Sequence, residues 1–167
     1  VLMKIRDICL IAVLGVTLYA SQVAMAFLPN IEIVSLLVII FTLVLGKRVI
    51  GVLAVFILVE GVTYGFGTWW LMYLYIWPLL ALVTYLLRRM TGTVSWALLS
   101  GVFGLLFGFL CSLVYFAIGG VGGGISYFIS GIPFDIIHCV SNFLLTMLLF
   151  KKLRSVLDNL YSKMRRM

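Results

Sequence analysis

The chain has 167 residues, 65% of them hydrophobic and 10% charged, with a mean hydropathy of +1.28. Soluble domains average about 45–50% apolar and about 25% charged residues, so a water-soluble globule is excluded and an integral membrane protein is expected. The net charge of +7 does not imply nucleic acid, because the basic residues form short juxtamembrane pairs and a terminal run, as cytoplasmic retention of Lys and Arg requires.

A helix of about 17–25 apolar residues crosses the hydrocarbon core of a bilayer. The first span, about residues 5–27, is longer than the apolar core of a removable signal peptide, about 7–15 residues, and is expected to belong to the mature fold. It stops at Leu28-Pro29-Asn30, where proline ends the helix. A short second span, about 31–45, ends at Gly46-Lys47-Arg48, and a third, about 49–64, ends at Gly65-Phe66-Gly67. The fourth, about 69–87, closes on Arg88-Arg89. The fifth, about 96–118, leads through the glycine run Gly119 to Gly124 into the sixth, about 126–150. These form a single domain with a basic amphipathic tail, 151–167, in which Leu153, Val156, Leu157, Leu160, Tyr161 and Met164 recur at helical spacing.

The basic clusters Lys4/Arg6, Lys47/Arg48, Arg88/Arg89 and Lys151 through Arg166 hold all twelve Lys and Arg residues. Alternating spans place every cluster on the cytoplasmic side, which predicts an N-in/C-in, all-α bundle of six transmembrane helices. The outer connections are then Pro29–Glu32, Gly65–Thr68 and Gly119–Ile125. The last is too rich in glycine to hold one shape unaided and reads as a linker or a lid.

Ionisable side chains inside a membrane cost about 2.5–3.5 kcal/mol each on insertion scales, which makes them functional candidates. Glu60 lies about one turn below the outer end of span three. Asp135, His138 and Asn142 share one face of span six, and Pro133 precedes them. They either satisfy one another and neighbouring helices or contact a ligand. With Glu32 in the first outer connection, the acids Glu32, Glu60 and Asp135 lie on or toward the outside. Trp70, Tyr73 and Trp77 share a face of span four. Trp69 or Trp70 suits an interfacial belt, but Trp77 lies about 12 Å deeper at about 1.5 Å per residue, where it can form a stacking wall for a flat ring.

No Lys or Arg is expected toward the outside, so a site there suits a neutral or cationic solute and not a phosphate. Cys9, Cys111 and Cys139 lack zinc spacing and read as small buried hydrophobes. No metal site, cofactor or catalytic constellation is expected. No P-loop is present either, since Gly46-Lys47 lacks the upstream glycine and the following Ser or Thr. Any ATP-driven step would need other subunits.

The size, the six spans, the topology and the outer polar site resemble the S component of an energy-coupling factor (ECF) vitamin transporter. The resemblance covers the whole chain, with PNIEIVSLLVIIFTLVLGKR (Pro29 to Arg48) and GIPFDIIHCVSN (Gly131 to Asn142) as its local carriers. It implies a non-enzymatic binding subunit in a prokaryotic plasma membrane. Such a subunit captures a vitamin or precursor from outside and works with a membrane coupling subunit and two ATP-binding subunits. It implies a ligand held by spans four to six under the first outer loop. It also implies a small-residue docking surface on span one, for which Ala12 and Gly15 are the nearest match at the cytoplasmic end and Ala20 and Ala24 match further out. Pyridoxine, hydroxymethylpyrimidine and thiamine are concrete ligand candidates. A proton-coupled secondary transporter with Asp135 and His138 as its relay is the alternative.

Overall fold

The computed structural model describes residues 5–166; Lys4 of the first basic pair and Met167 at the end of the tail lie outside them. Among the described residues every regular element is helical. α1 (Ile5–Met25) is followed by α2 (Val34–Leu45), which passes through a 3-10 turn, Gly46–Arg48, into α3 (Val49–Tyr64). α4 (Thr68–Leu86) comes next, and α5 (Thr93–Arg166) carries the rest of the chain.

α5 is two rods joined at Gly120, where φ 65° and ψ −169° interrupt the helix. Only glycine adopts that conformation freely. The arms 93–119 and 121–166 fold back on each other, with Tyr115 stacked on Tyr127 at 4.2 Å and Trp96 on Phe150 at 6.1 Å. The run Gly119 to Gly124, whose composition reads as a linker or a lid, is therefore ordered between the arms. All of it except Gly120 continues the helices. The cause is close packing: a Cβ on Gly124 would lie 2.2 Å from the Phe116 ring, so glycine lets the arms touch almost to the turn.

Among the described residues four stretches are long and apolar enough to cross a membrane: Ile5–Met25, Val34–Tyr64, Thr68–Leu86 and Thr93–Arg166. The second bends at Gly46, where φ is 59°, and the fourth reverses at Gly120. Large apolar side chains such as Val16, Leu58, Leu74, Leu106 and Leu144 are exposed along α1, α3, α4 and both arms of α5. An exterior of this kind suits lipid, and the several long apolar helices fit a multi-pass membrane protein.

α2 is built differently. Every residue from Val34 to Thr42 is buried, and the helix packs against α4 and α5. Its 12 residues cover about 18 Å at about 1.5 Å per residue, well short of the about 30 Å core of a bilayer. It starts three residues later than the sequence pattern predicts. Asn30, after Pro29, takes a left-handed φ of 59°, and the Ser35 N–H donates to Glu32 Oε2 at 2.8 Å. That carboxylate serves one of the first-turn donors that the helix itself leaves unpaired.

α1 and α3 approach closely through one glycine from each. A Cβ on Gly15 would fall 2.6 Å from Val55 Cβ, and one on Gly51 would fall 3.1 Å from Ile11 Cδ1. Gly15, expected on a docking surface, is thus buried against α3, whereas Ala12 is exposed. At the basic end, Arg6 Nη1 donates to the Met164 carbonyl at 2.8 Å. Arg48 Nη1 reaches Asp7 Oδ1 at 3.2 Å and the Tyr161 hydroxyl at 3.3 Å. Leu153, Leu157 and Tyr161 pack on the core. The tail is thus a continuation of α5 laid across the ends of α1 and the 3-10 turn.

Candidate ligand-binding site

The connection between α1 and α2 turns into the bundle. Ser141 Oγ donates to the Asn30 carbonyl at 3.0 Å, and Glu32 Oε1 meets His138 Nε2 at 3.1 Å. His138 lies about 27 Å along its arm from Gly120 at about 1.5 Å per residue, so the connection reaches deep between the helices. Irregular backbone at such depth is stable only where protein covers it or it lines a cavity. Here it does both.

The cavity it closes has a volume of about 290 Å³. Gln22 and Met25 of α1 form one side, Tyr73 and Trp77 of α4 a second, and Phe107 and His138 of the two arms a third; Asn30 and Glu32 form the cover. The aromatic lining belongs to one run of ring contacts, edge-to-face except at the tilted Trp77–Phe107 pair. Trp69 meets Tyr73 at 5.4 Å, Tyr73 meets Trp77 at 5.5 Å, and Phe107 meets His138 at 5.0 Å. Trp77 joins the two halves by its contact with Phe107 at 5.9 Å. Such offset contacts fix ring orientations and leave π faces available to a flat solute.

The polar edge is the Glu32–His138 pair, whose side chains are 17% and 5% exposed. Glu32 also receives both the N–H and the hydroxyl of Ser35. The carboxylate is thereby oriented by the first turn of α2, and the imidazole by the carboxylate. His138 Nδ1 and Trp77 Nε1 are buried without a protein partner, so each can still hydrogen-bond a solute. Among the described residues no Lys or Arg lines this cavity.

Glu32, Tyr73, Trp77 and His138 therefore come together, and the other candidates do not join them. Trp70 turns to α3, where its Nε1 donates to the Ile57 carbonyl at 2.9 Å and its ring meets Phe66 at 5.0 Å. Glu60 is 1% exposed and borders a separate side cavity with Gln22, Tyr64 and Trp69; its Oε1 has no partner. Asn142 Nδ2 lies 3.4 Å from the Ser100 carbonyl, bridging the arms. Asp135 does not meet His138. Its Oδ1 accepts the Gly108 N–H at 2.9 Å, and it borders a different cavity beyond Phe107.

The arms pack this tightly because Gly101, Gly104 and Gly108 present one bare face of the first arm. A Cβ on Gly104 would lie 2.8 Å from the His138 backbone, and one on Gly108 would lie 2.3 Å from Asp135 Oδ2. Small residues let helices seat against each other in this way. Their i, i+3, i+7 spacing was available in the sequence as a signal for Asp135 and His138. Gln22 and Phe107 carry no such signal, being single residues in apolar runs.

No group of three or more His, Cys, Asp or Glu residues able to hold a metal ion occurs among the described residues. The chain matches no known protein family, no curated protein and no solved structure.

Proposed function

We propose that this chain is the substrate-binding S component of an ECF-type importer, spanning a prokaryotic plasma membrane six times with both termini inside. It captures a small neutral or cationic ring compound, a vitamin or precursor such as pyridoxine, hydroxymethylpyrimidine or thiamine. A membrane coupling subunit and two ATP-binding subunits then drive delivery inward. One observation carries this reading. A cavity of about 290 Å³ lies within the bundle, under a folded-in connection, and joins aromatic faces to an acid–imidazole pair, with no Lys or Arg among its described lining residues.

Two further features support it. The exposed face of α1 carries Ala12, Val16, Thr17, Ala20, Ser21 and Ala24 along a shallow groove, as a small-residue docking surface requires. Gly15 belongs to the α1–α3 contact and not to that face. The proton-relay alternative gains nothing from the geometry, because Asp135 and His138 border different cavities and His138 is engaged by Glu32.

The test is mass spectrometry of solute co-purified with the chain, together with tryptophan fluorescence against a panel of vitamins and precursors. A bound ring compound that quenches emission is expected. Uptake should require ATP hydrolysis by partner subunits. Uptake that follows the proton gradient and persists without those subunits would reject the reading.

A further inference from the structure

Beyond Phe107, and sharing only that ring and Asn30 with the cavity described above, lies a second cavity of about 310 Å³. Its floor is Asp135, which is 6% exposed. Gly108 holds Oδ1 through its N–H at 2.9 Å, while Oδ2 is buried without a partner. The notch is shaped to the carboxyl, since any side chain at position 108 would collide with it. Around it stand Tyr127, Phe134 and Phe107, with Cys111 and Ser130 between them. The one imidazole nearby serves Glu32, and among the described residues no Lys or Arg lines this cavity.

An acid that keeps a free oxygen beside three aromatic rings is the chemistry that recognises organic cationic nitrogen. The carboxylate supplies charge and a hydrogen bond, and the ring faces supply cation–π attraction. A hydrated metal ion would want several more oxygen ligands, and an anion would be repelled. The geometry points to this second cavity as an ammonium-binding compartment that takes the protonated amine arm of the solute whose ring occupies the first. It rests on the binding reading above and narrows it to amine-bearing rings, with Asp135 as the residue that selects for the charge.

Asp135 also borders an apolar groove on the exterior, between Leu106, Phe109, Phe128 and Ile132. Dicyclohexylcarbodiimide, a lipid-soluble carboxyl reagent, can reach it from that side. The experiment treats the purified full chain in lipid nanodiscs with this reagent and reads modification of each acid by peptide mass spectrometry. Benzylammonium is the probe and benzyl alcohol its neutral match. Benzylammonium at about ten times its Kd is expected to slow labelling of Asp135 by about tenfold. Benzyl alcohol should leave it unchanged, and Glu60 should label equally in both. In Gly108→Ala the protection should vanish. Equal protection by the two probes, protection at Glu60 as well, or an Asp135 that never labels would each overturn the proposal. The wild-type measurement decides it even if the variant fails to fold. ATP-independent uptake, by contrast, would remove the importer reading and leave the protection result standing.

Discussion

Trp77 is 2% exposed, touches both Tyr73 and Phe107, lines the cavity, and keeps a buried Nε1 without a protein partner. Trp77→Phe keeps the packing and removes the donor, whereas Trp77→Ala removes both. The phenylalanine variant should weaken solute binding by about tenfold, the equivalent of one good hydrogen bond. The alanine variant should also lower the unfolding midpoint, since truncating a buried Trp costs about 3–5 kcal/mol. Titration calorimetry and thermal unfolding in detergent separate the two effects. Glu32→Gln and His138→Gln form a second residue-scale test. Each should cost about 1–3 kcal/mol of stability by leaving a buried partner unmatched. The double variant should cost less than the sum, and strict additivity in that cycle would show that the 3.1 Å contact carries no coupling. Sequence spacing alone placed Asp135, His138 and Asn142 on one helix face. It could not tell that His138 would be claimed by Glu32, 106 positions away in the chain, because that pairing depends on how far the connection folds inward.

At the scale of elements, the glycines divide by job. Within the run Gly119 to Gly124, Gly120 alone holds a conformation that other residues enter at a cost of about 1–3 kcal/mol, so Gly120→Ala should lower the unfolding free energy by that amount. Gly119 has an ordinary helical backbone and no neighbour within 4 Å of a Cβ. Gly119→Ala should therefore stabilise by about 0.5–1 kcal/mol through helix propensity. Urea or thermal unfolding followed by helical ellipticity measures both, and equal effects would mean that the turn lies elsewhere. Local composition predicts a loose glycine loop here and misses the helix. The missing information is the partner arm, whose Phe116 and Tyr115 fill the space that the absent side chains leave. The helix α3, by contrast, has the bounds read from the sequence, because Lys47-Arg48 and Gly65 flank a run of 16 residues in which Glu60 is the one charged side chain.

For the whole molecule, the face of α1 packed inside the bundle and the exterior face proposed for docking are different. Gly15, Leu14 and Leu18 are buried in the bundle, while Ala20 and Ala24 line the exterior groove. Ala20→Leu with Ala24→Leu should leave unfolding and solute affinity unchanged and reduce coupled uptake by about tenfold or more, because bulk at a small-residue contact blocks close helix approach. Intact uptake by that variant would place the coupling surface on another face. The face could not be assigned from letters alone, since Ala12, Gly15, Ala20 and Ala24 all satisfy a small-residue pattern and only burial separates them.

The buried position of α2 has a consequence for the membrane itself. Helices that face lipid must match its thickness by tilting or by deforming the bilayer, at a cost of fractions of a kcal/mol per Å. α2 is buried from Val34 to Thr42, so its shortness imposes no such mismatch there, and Glu32, bonded to its first turn from the preceding connection, sits against an element shielded from bilayer strain. Solute affinity should then stay constant when the protein is moved from thin to thick phosphatidylcholine bilayers, even as the outer helices change tilt. The acid that edges the site is then shielded from changes in bilayer thickness by the helices around it.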